Sequence, residues 1–88
     1  MTVYITNNKM DDTMKEKILS ILSDMRPDIE FETEEGLISD GLLESFDLIQ
    51  LIATLENEFG VEIGNKNITK ENFDSLDRIV SLIESLLK

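Results

Sequence analysis

Apolar positions recur along this chain at the three-to-four-residue spacing of helices, and no stretch shows the strict alternation of a half-buried strand. Met14, Ile18, Ile21, Leu22 and Met25 make one stripe, which predicts a first helix from about Asp12 to Met25. Asp11 or Asp12 suits its start, where acids favour the helix dipole. Pro27 ends it, because the residue before a proline is pushed out of helical geometry. Leu48, Leu51, Ile52, Leu55 and Phe59 share an arc with Ile49 at its edge, predicting a second helix from about Phe46 to Phe59, stopped by Gly60. VEIGNKN reads as a short link, and ITKENF as one helical turn capped by Thr69. Leu76, Ile79, Val80, Leu82, Ile83, Leu86 and Leu87 make a last helix, starting after Asp74 or Ser75. The expected fold is all-α: a small four-helix bundle of three long helices and one short. Residues 1–10 have no clear period and read as a flexible N-terminal arm, with the folded domain over 11–88.

Between the first two helices lies a connection, residues 27–44, longer than most loops in compact domains. Ile29, Phe31, Leu37, Ile38, Leu42 and Leu43 punctuate it, so it is expected to be pinned across the core. Gly36 and Gly41 are expected to supply its turn geometry.

Charge sharpens this picture. The net charge is −11, and no Lys or Arg occurs between Arg26 and Lys66, where eleven acids fall. The remaining eight acids balance the eight bases. A field so confined repels nucleic acid and anionic lipid and favours partners with basic patches. We read it as a docking surface in preference to a device for solubility alone. No apolar run is long enough to span a membrane, and the N-terminus lacks the basic-then-apolar order of a secretory signal. The expectation is a soluble, cytoplasmic monomer.

The candidate chemistry centres on Ser45, at the start of the second helix within DGLLES. The chain has no His and no Cys. The commonest general base and metal ligand and the thiolate nucleophile are therefore missing, and no Lys lies near Ser45 in sequence. Asp40, Glu44 and Asp47 lack the alternating acids and closing Glu of a calcium loop, so no metal site is expected. Ser45 is thus either a helix cap or the substrate of a partner enzyme.

DGLLES followed by LENEFGVEI resembles the phosphopantetheine-bearing acyl carrier protein family over about Asp12 to Leu87. The matching pieces are Gly41-Leu42-Leu43, Leu55-Glu56, Phe59-Gly60, Ile63, Asn72-Phe73 and the final apolar helix. The resemblance implies that Ser45 receives 4′-phosphopantetheine from coenzyme A through a phosphopantetheinyl transferase. The arm's thiol would carry acyl or aminoacyl groups as thioesters between a loading ligase and an acyltransferase or synthase. The chain itself would be a carrier and not an enzyme. Glu44 departs from the family's usual Asp. A helix N-terminus also favours the phosphodiester's charge. Ser75, in NFDSLD, sits nearer the usual Asp-Ser-Leu triplet, but no GLL precedes it and no LExxFG follows, so the reading there is that Asp74 or Ser75 caps the last helix.

Phe46, Gln50, Ala53 and Asn57 form a stripe beside the core arc, and with Asp40, Glu44 and Asp47 they make the expected partner surface. Amides at 50 and 57, the GLL step and the absence of an LGADSLD string look more like stand-alone D-alanyl and peptidyl carriers than fatty-acid carriers. Leu48, Leu51, Ile52, Ile68 and Leu82 are read as packing, although they would also suit a sheltered cargo. The alternative to the carrier is an unprimed acidic helical interaction module.

Overall fold

The computed structural model describes residues 10–87. The arm expected over 1–10 lies outside them, apart from Met10, which is already helical. Four α-helices follow in order: α1 Met10–Met25, α2 Ser45–Phe59, α3 Lys70–Phe73 and α4 Leu76–Leu87, with a 3-10 turn at Asn65–Asn67 before α3. No strand occurs among the described residues. Three long helices and one short one are the expected set.

Each apolar stripe faces the core. Ile18 and Leu22 of α1, Leu51 and Leu55 of α2, Phe73 of α3, and Leu76, Ile79, Val80, Leu82 and Ile83 of α4 are buried together. α1 packs on both α2 and α4, and α3 packs on α4. One expected edge residue departs from the arc: Ile49 is 67% exposed. At 100° per residue it lies on the side of Phe46 and Ala53, away from Leu51 and Leu55.

The helix ends follow local chemistry. α1 is already under way at Met10, so Asp11 and Asp12 lie within its first turn and neither is the residue before it. It stops at Met25, just ahead of Arg26-Pro27. α2 ends on Gly60, whose φ of +65 is a left-handed cap that suits glycine. Thr69 Oγ1 accepts from the Asn72 N–H at 3.2 Å and starts α3. Ser75 Oγ accepts from the Arg78 N–H at 3.2 Å and caps α4.

The long connection is a chain of hydrogen-bonded turns lying over the core. Phe31, Leu37 and Leu43 are buried, and Ile29, Ile38 and Leu42 pack against them. The Leu37 N–H donates to the Asp74 carbonyl at 2.8 Å, and the Leu43 N–H donates back to the Leu37 carbonyl at 2.8 Å. The Asp74 carboxylate accepts from the N–H groups of Ile38 and Ser39, at 2.9 and 2.8 Å, and from the Ser39 hydroxyl at 2.6 Å. Gly41 takes φ +76, as its turn requires. Gly36 serves differently from the expectation. Its φ is not positive, and a side chain there would meet the Asp40 carboxylate. These bonds carry the chain from the end of α1 to the start of α2.

Candidate functional site: the corner at Ser45

Ser45 is the first residue of α2 and not its cap. The capping position belongs to Glu44, whose extended backbone (φ −96, ψ 173) turns the chain into the helix. The third helical residue, Asp47, reaches back, and its Oδ2 accepts from the Glu44 N–H at 3.2 Å. This relieves Ser45 of the capping task weighed for it. Its side chain is exposed, and its hydroxyl has no hydrogen-bond partner among the described residues. Backbone N–H groups of a first helical turn lack intrahelical acceptors and carry the positive end of the dipole. An exposed, unengaged hydroxyl beside such groups fits a covalently attached phosphodiester. Ser75 offers the opposite case. It is 8% exposed and its oxygen is occupied in capping α4.

A guanidinium braces the corner from below. Arg26, just past α1, grips Asp28 with Nε to Oδ1 at 3.0 Å and Nη2 to Oδ2 at 2.9 Å. Its Nη1 donates to the Leu42 carbonyl at 3.0 Å and to Asp47 Oδ2 at 2.9 Å. The Asp47 side chain is accordingly only 17% exposed. The hydrogen bonds from Arg26 hold the Asp28 carboxyl below the usual carboxylate range.

The acidic segment therefore divides. Asp28 and Asp47 are tied to Arg26, and Glu56 Oε2 accepts from the Ile63 N–H at 2.9 Å. Asp40 and Glu44 are exposed around the corner, with Asp40 folded back over Gly36. On α2, Phe46 is 75% exposed, so it is not a buried anchor. Gln50, Ala53 and Asn57 are exposed on the same stripe. Ile49 joins them, which the sequence reading missed by assigning it to the rim of the core. The structure thus brings Ser45, Phe46, Ile49, Gln50, Ala53 and Asn57 onto one outward side of α2, with Glu44 exposed just before the helix, and places Asp47 inward. Arg26 was also missed, since nothing in its sequence context pointed across the loop. The described residues hold no group of three or more potential metal-ligating side chains, and no helix is long and apolar enough to cross a membrane.

No protein-family model matches the chain. Among curated proteins it is similar to D-alanyl carrier protein 1 of Lactiplantibacillus plantarum, 33% identical over 88% of this chain and 96% of the relative. It is also similar to the D-alanyl carrier proteins of Lacticaseibacillus casei, 29% identical over 84% of this chain and 94% of that protein, and of Lactobacillus acidophilus, 27% identical over 82% and 92%. The helical fold with its serine-bearing corner, and a third of residues identical across nearly the full length of a relative, make one conclusion: the chain belongs to the D-alanyl carrier protein family.

Proposed function

We propose that the protein carries D-alanine as a thioester on a 4′-phosphopantetheine arm attached to Ser45. The observation that carries this reading is the exposed Ser45 hydroxyl, without a hydrogen-bond partner among the described residues, at the first residue of α2 in a chain of this family. Bound there, the arm supplies the thiol that the cysteine-free chain lacks. In priming, Ser45 Oγ forms the bond to phosphorus as coenzyme A releases adenosine 3′,5′-bisphosphate. The hydroxyl proton leaves to a base of the transferase. No His stands near to take it, and Arg26 is engaged by Asp28, Leu42 and Asp47. The chain is on this reading a substrate and carrier, not a catalyst.

Its partners are a phosphopantetheinyl transferase, a ligase that adenylates and loads D-alanine, and the acyltransferase that accepts it. We place the work in the cytoplasm, where coenzyme A and ATP are available, and assign the carrier a monomeric state. The stripe Phe46, Ile49, Gln50, Ala53 and Asn57 gives the ligase an apolar and amide contact. Asp40 and Glu44 give each partner a negative rim.

Incubation with coenzyme A, magnesium and a broad-specificity transferase, followed by intact-mass spectrometry, tests the attachment. One phosphopantetheine mass is expected on the protein and on Ser75→Ala, and none on Ser45→Ala. A primed Ser45→Ala protein overturns the site. D-alanine ligase and malonyl transferase, offered the primed protein in parallel, then test the cargo. Malonyl loading without aminoacylation overturns the D-alanyl reading and leaves the arm in place.

A further inference from the structure

Arg26 is the last base before the acidic segment, yet it does not lie outward to balance it. Its fork reaches three parts of the chain at once: Asp28 beyond α1, the Leu42 carbonyl in the connection, and Asp47 in the first turn of α2. The Asp47 contact has a consequence one residue from Ser45. The same oxygen, Oδ2, accepts from Arg26 Nη1 at 2.9 Å and from the Glu44 N–H at 3.2 Å. Charge-assisted bonds of this kind hold planar groups in one geometry. The Leu43–Glu44 peptide, one residue ahead of Ser45, is thus fixed through Asp47 to the end of α1, and the preceding turn is fixed at Leu42.

We propose that Arg26 is a positioning residue for modification of Ser45: through Asp47 and Leu42 it holds the corner in the one geometry in which partner enzymes meet the hydroxyl. The inference rests on the reading of Ser45 as the attachment site. The reason lies in what the partner must do. A transferase has to bring the serine oxygen into line with a phosphorus, and a misplacement of about 1 Å costs on the order of a hundredfold in rate. A first helical turn exposed to solvent does not hold that tolerance by itself, since helix ends open most readily. Lysine would not replace the arginine. Its ammonium lacks the planar fork that engages Asp28 on one edge while reaching Leu42 and Asp47 with another nitrogen.

The test compares the full chain with Arg26→Met, Arg26→Lys and Asp47→Asn. Lys15→Met, which breaks the exposed Lys15–Asp77 pair at 3.0 Å, removes a cation elsewhere and is the control. Two quantities are read: kcat and KM for priming by the transferase, and amide hydrogen exchange at Glu44, Ser45 and Phe46. For Arg26→Met the expectation is a kcat lowered about tenfold or more with KM nearly unchanged. Exchange at Glu44 should rise about tenfold while the amides of α4 keep their protection. Arg26→Lys should follow Arg26→Met, and Lys15→Met should match wild type in both readouts. Adding Arg26→Met to Asp47→Asn should cost less than the two changes apart, because they act through one oxygen. Should Arg26→Met not fold, Arg26→Lys, with its charge and stem retained, decides by the same readouts. Wild-type kcat in a folded Arg26 variant, or a lowered kcat without faster exchange at Glu44, overturns the proposal. A wild-type protein that gains no mass fails the carrier reading instead, and exchange at Glu44 still tests the brace.

Discussion

At Asp74 one side chain takes a task different from the one its position suggested. Sequence offered Asp74 or Ser75 as the cap of α4, and Ser75 does it. Asp74 turns instead to the connection, accepting the N–H groups of Ile38 and Ser39 and the Ser39 hydroxyl. These bonds to its charged form, the Ser39 hydroxyl foremost, lower its pKa below the ordinary 3.8. In that range the folded protein binds fewer protons than the unfolded chain, so acid favours unfolding. The contribution is complete above the unfolded value and is lost as pH falls through the depressed folded one. Urea midpoints measured from about pH 5 down to about pH 3 should drop more steeply in wild type than in Asp74→Asn. A residual slope should remain, because Asp28 is depressed in the same sense by Arg26. Parallel profiles for the two proteins would show that Asp74 adds nothing as a charge.

At the scale of the element, α2 has one buried and one exposed face, and the two predict different losses. Leu51 and Leu55 have no exposure, while Phe46 and Ile49 stand out in solvent. Leu51→Ala should destabilise the fold by about 2–5 kcal/mol, the range for truncating a buried leucine. Phe46→Ala and Ile49→Ala should stay within about 0.5 kcal/mol in urea unfolding, as surface changes do. They should instead raise the ligase's KM for the primed carrier by about tenfold or more, the size expected of an apolar anchor in an interface. Unchanged loading in both would remove the stripe from the partner surface. Much of this element was legible: the arc from Leu48 to Phe59, the stop at Gly60 and the outward amides all follow from period and punctuation. The connection's six apolar residues follow no helical period, but they were legible as pinned across the core because they punctuate an otherwise acidic loop. What periodicity left open was the corner. A wheel places Ile49 near the core but does not say how far the core reaches, and that depends on which side of α2 faces α1. Nor does spacing reveal that Asp47 turns back to Glu44 or that Arg26 crosses 21 positions to meet it. Those contacts depend on the path of the connection, which no local pattern encodes.

At the scale of the whole molecule, the proposed partners would meet a strongly negative protein. Its net −11 comes from the segment between Arg26 and Lys66, and within that segment Asp28, Asp47 and Glu56 are held by the protein's own donors. Pairing does not remove their charge from the long-range field, but it occupies their oxygens, and Asp47, with its side chain only 17% exposed, is also withdrawn from direct contact with a partner. Asp40 and Glu44, exposed on either side of the GLL step, remain beside Ser45. Steering by such a field acts on the encounter rate and fades with ionic strength. Between about 0.01 and 0.15 M salt the Debye length shortens from about 30 to about 8 Å. The second-order rate of priming, kcat/KM, should therefore fall across that range, while kcat at saturating carrier holds. Asp40→Lys should lower kcat/KM at low salt more than Glu71→Lys, which makes the same charge change on α3, outside the segment. The two should converge as salt rises, because screening removes the difference that position makes. A rate indifferent to salt, or equal losses from both reversals at low salt, would mean that partners read shape alone at this corner and that the acidic segment serves another purpose. Asp47→Lys is unsuited to this comparison: it would place a cation against Arg26 and unfasten Glu44, so its effect would mix lost steering with lost position.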